Sequence, residues 1–438
     1  MFKDTPIPHD IVESHIRESG IKEIGRAGIR ELAKLVNDIE EASGMKFIRM
    51  EMGVPGLEPA SVAVEAEIQA LRRGVASKYA NIEGIPELKK EISRFCKLFL
   101  NISISPKCCL PTVGSMQGSM AAFMVVNRND HTKEGTLFID PGFPVHKQQC
   151  KVLGHEYRSF DVYNYRGKKL REKVEGYLNS GKVSSILYSN PNNPSWMCFT
   201  EEELEIIGDL ATKYDAIVIE DLAYVGMDFR KNISVPGQPP YQSTVAQYTK
   251  NFIILMSCSK TFSYAGQRMA IMVVSDELFH RKYPDLLRYN TSDMFGNAMI
   301  FGALYSLSAG GSHSAQFGIA AILKAVNEGK FNMQDEVREY AYRAKIMKQL
   351  FVNNGFYIVY DKDVDVPVGD GFYFTIGYPG FSGQDLLREL LFYGISAISL
   401  DITGSERKDG LRACVSQISK DQFVILDERL KIFKENHH

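Results

Sequence analysis

The sequence predicts an α/β protein with a mostly parallel sheet and a second, smaller α+β domain. Short continuous apolar runs alternate with amphipathic stretches over residues 60–330, as expected for strands that helices bury on both faces. The chain has 438 residues, 45% of them hydrophobic, which is enough for a large core and more than one domain. After about residue 330 the alternation gives way to a long charged helical pattern.

The elements of the first two thirds follow from apolar periodicity. Residues 10–43 carry apolar residues at helical spacing, and Ser43-Gly44 fits a C-terminal cap. The stretch 201–213 is amphipathic and predicts a helix between strands. The predicted strands are 136–140, 185–188, 216–220, 252–256 and 270–274.

The C-terminal part is predicted to form a separate α+β unit. Residues 335–352 have the pattern of one long helix that ends at Asn354-Gly355. A strand, a helix and a second strand are predicted after it, at 372–376, 384–392 and 395–400. We therefore expect a large domain over 55–325, and a small domain made of 1–54 and 326–438.

Composition argues against several classes of function. A net charge of -2, with basic residues spread along the chain, offers no stripe for nucleic acid. No apolar stretch is long enough for a membrane span and the start has no apolar signal region, so we expect a cytoplasmic protein. The seven cysteines are odd in number and form no CxxC motif, which favours free thiols. The nine histidines show no metal-binding spacing.

Chemically distinctive side chains follow four of the predicted strands. In open α/β sheets, ligands collect at the carboxyl ends of parallel strands. The residues expected there are an aromatic, an amide, a carboxylate with a phenol, and a lysine with a serine and an arginine: Phe143, Asn193, Asp221, Tyr224, Lys260, Ser257 and Arg268.

The best-known chemistry of a lysine at such a place is an imine with pyridoxal phosphate. The cofactor's phosphate needs backbone N–H groups and a cation, and its ring nitrogen needs a carboxylate, here Asp221. Its phenolate oxygen needs donors, for which Asn193 and Tyr224 are candidates, and Phe143 could cover the ring. The phosphate candidates are Gly114, Ser115, Met116, Ser257 and Arg268.

The motifs occur in an order that resembles the class I/II aminotransferase family of fold-type I pyridoxal-phosphate enzymes. They run nearly end to end, at Met52-Gly53, Tyr79 to Gly84, Gly114 to Gln117, Asp140 to Phe143, Asn190 to Pro194, Asp221 to Tyr224, Ser257 to Lys260, Gly266 to Arg268 and Leu411-Arg412. The resemblance implies the aspartate aminotransferase-like fold of pyridoxal-phosphate-dependent transferases, with a large domain built on a seven-stranded, mostly parallel sheet.

The resemblance also implies the role of each site residue. Lys260 would form the Schiff base and move the proton between Cα and C4′, while Arg412 would bind the substrate α-carboxylate. Gly53 and Asn193 would line the substrate side. Tyr79 would reach the cofactor phosphate of a neighbouring subunit, which implies a homodimer with shared active sites. The expected activity moves an amino group from an L-amino acid to a 2-oxo acid.

One departure from the family pattern keeps alternatives open. The family continues from the second Asn-Pro into Thr-Gly, whereas Ser195-Trp196 stands here and puts the loop path and substrate channel in question. A C–S β-lyase, a decarboxylase or a racemase could arise on the same residues. No second arginine can be assigned to a distal carboxylate, which favours neutral or aromatic donors.

Two alternatives come from other classes. Ser257 to Lys260 fits the S-x-x-K signature of penicillin-binding proteins, but those proteins also need S-D-N and K-T-G. The chain has Ser292-Asp293-Met294 and no Lys-Thr-Gly. A cofactor-binding regulator would normally carry a DNA-binding domain before residue 50, where the helical segment is too small.

Overall fold

A computed structural model describes residues 4–437. These residues divide between two units. The larger unit consists of Leu57–Pro191 and Cys198–Val337, and the smaller unit of the chain up to Gly56, Asn192–Met197 and the chain from Arg338 onward. The units differ from the predicted domains in where they place residues 55–56, 192–197 and 326–337. Within the described residues, no helix is both long and apolar enough to cross a membrane.

The helices are named in chain order. They are α1 (His9–Glu18), α2 (Ile29–Ser43), α3 (Ser61–Arg72), α4 (Pro86–Phe99), α5 (Gly114–Val126), α6 (Pro144–Leu153), α7 (Lys169–Leu178), α8 (Glu201–Lys213), α9 (Cys258–Thr261), α10 (Asp276–His280), α11 (Phe295–Asn297), α12 (Tyr305–Ser308), α13 (His313–Asn327), α14 (Met333–Val337), α15 (Glu339–Asn353), α16 (Gly383–Phe392) and α17 (Gln422–Asn436). A π-helical segment, Ala298–Leu304, joins α11 to α12.

The strands are named in the same way. They are β1 (Ile48–Arg49), β2 (Cys109–Val113), β3 (Gly135–Asp140), β4 (Glu156–Asp161), β5 (Val183–Ser189), β6 (Ile217–Asp221), β7 (Phe252–Ser257), β8 (Met269–Val274), β9 (Tyr357–Ile358), β10 (Lys362–Asp363), β11 (Val366–Pro367), β12 (Tyr373–Gly377), β13 (Ile395–Ser396), β14 (Ile398–Ser399) and β15 (Gly410–Cys414).

The larger unit is built on a seven-stranded sheet, which confirms the predicted fold class. Its strand order is β2-β8-β7-β6-β5-β3-β4. The strands from β7 through β4 pair in parallel, while β8 runs antiparallel to both β7 and β2. Every residue of β3, β5, β6, β7 and β8 is buried, as their continuous apolar sequences predict. Because β3, β5, β6 and β7 are parallel, their last residues lie along one edge of the sheet.

Local sequence signals explain the helices that border this sheet. α8 begins after Thr200, whose hydroxyl accepts the N–H of Glu203 at 3.2 Å while the Glu203 carboxylate accepts the N–H of Thr200 at 2.9 Å. This capping box fixes the helix at the predicted residues. α5 begins at the residue after β2 ends, and it packs on β2, β7 and β8.

The smaller unit combines short sheets with helices. A four-stranded antiparallel sheet has the order β14-β15-β12-β9, and β1 pairs in parallel with β13. The parallel pair joins the N-terminal segment to the C-terminal part of the chain, since Ile48 is opposite Ile395 and Arg49 is opposite Ser396. The smaller unit therefore depends on residues more than 300 positions apart in the sequence.

Three predictions about individual elements need correction. Residues 10–43 form two helices, α1 and α2, because Gly20 takes a positive φ of 71° and a 3₁₀ turn at Ile24–Arg26 follows it. The predicted helix over 335–352 is split into α14 and α15 at residue 338. The predicted strand over 395–400 is two short strands that belong to different sheets.

Candidate active site

The lysine segment begins where β7 ends. Ser257 is the last residue of β7 and caps α9, its hydroxyl oxygen accepting the N–H of Ser259 at 3.2 Å. Lys260 lies in this single helical turn and is half-buried. The strand and its cap thus fix the backbone that carries the lysine at the carboxyl edge of the sheet.

Asp221 lies on the neighbouring strand at the same edge. It is the last residue of β6, opposite Leu255 of β7, and is 6% exposed. Its carboxylate accepts the N–H of Ala223 at 3.1 Å, and no cation of residues 4–437 forms an ion pair with it. Burial raises the pKa of Asp221 to about 7, although the Ala223 N–H acts in the opposite direction. This is the environment of a carboxylate that needs a cationic ligand.

A hydrogen bond joins the lysine helix to the loop after Asp221. The hydroxyl of Thr261 donates to the carbonyl of Val225 at 2.9 Å, and Thr261 is buried. Tyr224, next to this carbonyl, is 3% exposed. Sequence analysis did not single out Thr261. The feature that could have identified it is its hydroxyl, on the residue directly after Lys260. Thr261 thus fixes the lysine segment relative to the loop that carries the predicted phenol.

The predicted phosphate residues meet at the N-terminus of α5. The N–H of Gly114 donates to the carbonyl of Arg268 at 2.8 Å, and Gly114 has a φ of 68°. A Cβ at position 114 would overlap the Arg268 guanidinium, so glycine leaves room for the arginine at the helix end. Arg268 donates to the carbonyl of Ala265 at 2.9 Å and has no carboxylate partner among the described residues. A helix N-terminus with an unneutralised arginine suits an anion.

The remaining residues predicted for this end of the sheet occupy different environments. Ser115 is half-buried and Met116 is 42% exposed, both in the first turn of α5. Phe143 precedes α6, three residues after β3 ends. Its ring packs edge-on against the His146 ring, with 5.6 Å between the ring centroids. Tyr79 is 96% exposed, so its phenol is directed to the surface of this single chain.

The residues predicted to bind substrate lie in the smaller unit. Arg412 on β15 is 3% exposed and stacks over the Tyr373 ring, 4.6 Å from its centroid. Its Nη1 donates to Asn193 Oδ1 at 3.4 Å and its Nη2 donates to the carbonyl of Glu51 at 2.5 Å. No acceptor of the described residues meets its Nε, and no carboxylate pairs with it. A buried guanidinium without a counter-charge is a site for an anionic ligand.

Gly53 and Trp196 lie near the same tyrosine. A Cβ at position 53 would overlap the Tyr373 hydroxyl, which explains why glycine is present there. Trp196, with a φ of 63°, is wholly buried, and its ring contacts Tyr373 edge-on at 6.3 Å between centroids. Gly371 makes room for the indole, since a Cβ there would overlap it. The unusual tryptophan therefore packs inside the smaller unit, and Tyr373, which sequence analysis did not single out, contacts both Trp196 and Arg412.

These residues fit pyridoxal phosphate on the evidence of two features of the larger unit. The buried Asp221 carboxylate has a raised pKa and lacks a cation, as a protonated pyridine nitrogen would require. The glycine at the start of α5 leaves a cradle beside an unpaired arginine, as a phosphate would require. Lys260 would hold the aldehyde, Asp221 the ring nitrogen, and Gly114, Ser257 and Arg268 the phosphate.

Comparison with known proteins confirms the family that the motifs resemble. The family model described as aminotransferase class I and II matches residues 46–429. A probable aspartate aminotransferase of Methanocaldococcus jannaschii is 25% identical over 355 residues, covering 78% of this chain and 84% of that protein. An asparagine–oxo-acid transaminase of Streptococcus mutans is 27% identical over 246 residues, 54% of this chain and 59% of that protein.

The fold is also shared with solved structures. An alanine aminotransferase from Pyrococcus furiosus superposes with a TM-score of 0.77 at 18% identity, covering 96% of this chain and 99% of that one. An aminotransferase from Mycobacterium tuberculosis superposes with a TM-score of 0.74 at 17% identity, covering 93% and 96%.

Proposed function

The chain belongs to the class I and II aminotransferase family, and from this premise we propose that it is a pyridoxal-phosphate-dependent transaminase using Lys260, Asp221 and Tyr224. It is an enzyme of the aminotransferase type. Its substrates are an L-amino acid and a 2-oxo acid. The observation that carries the proposal is the buried, unneutralised carboxylate of Asp221 at the end of the strand next to the one that delivers Lys260.

Pyridoxal phosphate, when bound, supplies an electron sink for negative charge at the substrate Cα. Lys260 would hold the cofactor's aldehyde through its ε-amine, and the same amine would be the base that moves the proton between Cα and C4′. Asp221 keeps the ring nitrogen protonated through its charge. Tyr224 and Asn193 would be the donors for the phenolate oxygen, and Phe143 would be the aromatic residue for the ring. Gly114, Ser115, Met116, Ser257 and Arg268 receive the phosphate.

Arg412 receives the substrate α-carboxylate. Its guanidinium is oriented by Tyr373 and by two oxygen acceptors, which leaves the Nε–H and the second N–H of each Nη for the incoming anion. A planar fork binds a carboxylate in one orientation, and that orientation determines which Cα bond lies perpendicular to the cofactor ring. Transamination needs the Cα–H bond there, so Arg412 acts on the choice of reaction as well as on affinity.

A homodimer with shared active sites is part of the proposal. Tyr79 is 96% exposed, and Phe301 and Tyr305, which line the same surface depression, are 55% and 58% exposed. Contiguous exposed aromatic residues are typical of protein interfaces. If a second copy of the chain covers this patch, the Tyr79 phenol of one subunit can reach the cofactor phosphate bound by the other. The seven cysteines are all free thiols, which supports a cytoplasmic location.

A half-reaction screen tests the activity. The purified protein is loaded with pyridoxal phosphate and mixed with each amino acid separately, without an oxo acid. We expect the cofactor's visible absorption band to disappear with at least one amino acid, while pyridoxamine phosphate and the matching 2-oxo acid accumulate in equal amounts. Release of pyruvate and ammonia would instead identify a β-lyase, and carbon dioxide or an inverted amino acid would identify a decarboxylase or racemase.

Borohydride reduction tests the assignment of the lysine. Reduction of the loaded protein should fix the cofactor on the peptide that contains Lys260, and mass spectrometry should locate it there. A Lys260→Ala chain should bind the cofactor without retaining it after reduction and denaturation. Adduct formation on another lysine would contradict the assignment.

A further inference from the structure

We propose that the carboxylate of Glu51 is a positioning residue for Arg412 and thereby sets the affinity for the substrate α-carboxylate. The inference rests on the proposed function for its substrate, but its structural part concerns only contacts within the smaller unit. Glu51 does not touch the reacting atoms; it acts through its own main-chain carbonyl, which holds the Arg412 guanidinium.

Glu51 is a fully buried acid in an apolar stretch of the chain. It is 0% exposed and stands between Met50 and Met52. A buried carboxylate is unfavourable unless it is paired and hydrogen-bonded. Its Oε1 accepts Arg49 Nε at 2.7 Å and its Oε2 accepts the Ser396 hydroxyl at 2.5 Å. Both carboxylate oxygens therefore have partners, and the side chain is held at two points.

The two partners of this carboxylate are themselves fixed. Ser396 is opposite Arg49 in the β1–β13 pair and is fully buried. Arg49 also donates to Asn37 Oδ1 at 2.5 Å and to the carbonyl of Ala33 at 3.2 Å, both on α2. The Glu51 side chain is thus tied to a strand on one side and to a helix on the other. A residue held in this way cannot rotate its peptide groups freely.

The main chain at Glu51 carries this restraint to Arg412. The carbonyl of Met50 accepts the N–H of Cys414 at 3.0 Å, which places the segment alongside β15. The next carbonyl, that of Glu51, accepts Nη2 of Arg412 at 2.5 Å. On the other side of the guanidinium, Nη1 donates to Asn193 at the longer distance of 3.4 Å. The Glu51 carbonyl is therefore the closer of the two acceptors that orient the guanidinium.

The geometry implies a specific consequence for binding. Of the nitrogens of Arg412, Nε has no acceptor in the described part of the chain, so the orientation of the guanidinium decides where this N–H points. If the Glu51 carbonyl moves, the guanidinium can rotate on the face of Tyr373 and the ligand-binding direction is lost. Loss of the carboxylate should therefore weaken the binding of α-carboxylates more than it changes the proton transfer at Lys260.

The test compares Glu51→Gln with wild type and with Glu13→Gln. Glu13 belongs to the same unit and forms a surface ion pair with Arg388, so it controls for the loss of one carboxylate. Ser396→Ala, which removes the other donor to Glu51, is the second variant if Glu51→Gln folds poorly. All proteins are first checked for a cooperative unfolding transition, and only folded protein is used.

The first readout does not depend on enzyme activity. Phenylglyoxal reacts with accessible guanidinium groups, and peptide mass spectrometry gives the rate at Arg412. We expect this rate to rise roughly fivefold or more in Glu51→Gln, because a weaker hold on the Glu51 side chain lets its carbonyl move away from the Arg412 guanidinium. The rate should stay at the wild-type value in Glu13→Gln. Equal rates at Arg412 in wild type and Glu51→Gln would overturn the inference.

The second readout uses the amino acid that converts wild-type cofactor most completely in the half-reaction screen. KM for this donor should rise about tenfold in Glu51→Gln, and kcat should fall by a smaller factor, because the misoriented guanidinium mainly weakens binding and also disturbs the alignment of the Cα–H bond. An unchanged KM with a smaller folded fraction would mean a purely structural role and would also overturn the inference. If wild type converts no amino acid, the proposed function fails, and the labelling result still decides the role of Glu51.

Discussion

Asp221 and Arg412 are buried charges of opposite sign, each in its own unit. Neither pairs with an opposite charge among residues 4–437. Proteins avoid such burial unless the cost is offset by a ligand, because an isolated buried charge loses its hydration. The two residues therefore indicate what the ligands must supply, namely a cation for Asp221 and an anion for Arg412. An α-amino acid and pyridoxal phosphate together carry both groups.

The raised pKa of Asp221 predicts how the cofactor-free protein responds to pH. Because the folded state keeps a proton that the unfolded chain releases near pH 4, Asp221 lowers the stability progressively as the pH rises from about 4 to about 7. Asp221→Asn removes this cost. Its melting temperature should equal the wild-type value near pH 4 and exceed it increasingly up to pH 7, after which the difference should remain constant.

Differential scanning calorimetry of both cofactor-free proteins measures this difference. The buried Glu220 has its pKa raised to about 7 mainly by burial and in part by the charge of Asp221, so Asp221→Asn also lowers the Glu220 pKa, which changes the melting temperature in the same direction. A difference in melting temperature that is the same at every pH would contradict the raised pKa of Asp221. In the presence of pyridoxal phosphate the order should reverse, because only the carboxylate neutralises the protonated ring.

Thr261 predicts a local effect on the lysine helix. Thr261→Val keeps the shape of the side chain but leaves the carbonyl of Val225 without its donor, at a cost of roughly 1–3 kcal/mol for a buried group. We expect a lower melting temperature and a lower rate of proton transfer in the half-reaction. Thr261→Ser, which retains the hydroxyl, is the control. Equal rates in the two variants would show that the hydrogen bond does not position Lys260.

Sequence reasoning singled out residues with distinctive chemistry and missed residues that contact and support them. Lys260, Asp221 and Arg412 were predicted because their side chains have few structural uses at strand ends or on a buried strand. Glu51 and Tyr373 were missed, since an acid between two methionines and an aromatic on a strand have no periodic signature. Their importance comes from contacts with residues more than 150 positions away, which one sequence does not reveal.

The start of α5 combines a conformational requirement with a binding role. Gly114→Ala would force a residue with a Cβ into a φ of 68° and drive that Cβ into the Arg268 guanidinium. We expect a loss of stability of roughly 1–2 kcal/mol from the backbone strain. We also expect weaker binding of pyridoxal phosphate, because Arg268 is displaced from the helix N-terminus.

Titration of the cofactor-free protein separates the two effects. Pyridoxal, which lacks the phosphate, should bind Gly114→Ala and wild type with similar affinity, whereas pyridoxal phosphate should bind the variant about tenfold more weakly. Gly176→Ala is a matched control, since Gly176 lies in α7 and a Cβ there would meet no atom of the described residues within 4 Å. An equal loss of affinity for pyridoxal and pyridoxal phosphate would show that the start of α5 does not bind the phosphate group.

The elements that sequence patterns predicted well are the central strands. β3, β5, β6, β7 and β8 were predicted within three residues at each end, because strands buried on both faces give continuous apolar runs. The two edge strands, β2 and β4, were not predicted. β2 contains Pro111, and the first four residues of β4 alternate between exposed and half-buried, so neither strand has the continuous apolar run of the interior strands.

At the scale of the whole molecule, the chain order differs from the spatial organisation. The short segment Asn192–Met197 belongs to the smaller unit although its flanking residues belong to the larger one. Composition and periodicity are read over many residues, so they indicate a change of structural type near residue 330. They give no sign that six residues belong to a different unit from the segments on either side of them. Such an assignment depends on tertiary packing, here the burial of Trp196 in a space left by Gly371.

Subunit mixing tests the proposed dimer. A Tyr79→Phe chain and a Lys260→Ala chain are each expected to be weakly active or inactive alone. If Tyr79 acts across the interface, their heterodimer contains one intact site, and a 1:1 random mixture should recover about a quarter of the wild-type sites. If Tyr79 acts within its own chain, no site is intact and activity stays at the level of the parents. A monomer on analytical ultracentrifugation would contradict the shared site.

The burial of Trp196 has a practical consequence for spectroscopy. It is the only tryptophan of the chain and lies wholly inside the smaller unit. Its fluorescence therefore reports the local packing of that unit without contribution from the other, while the absorption of a cofactor on Lys260 would report the larger one. Two optical signals from one unlabelled protein can thus follow the two units separately during denaturation or substrate binding.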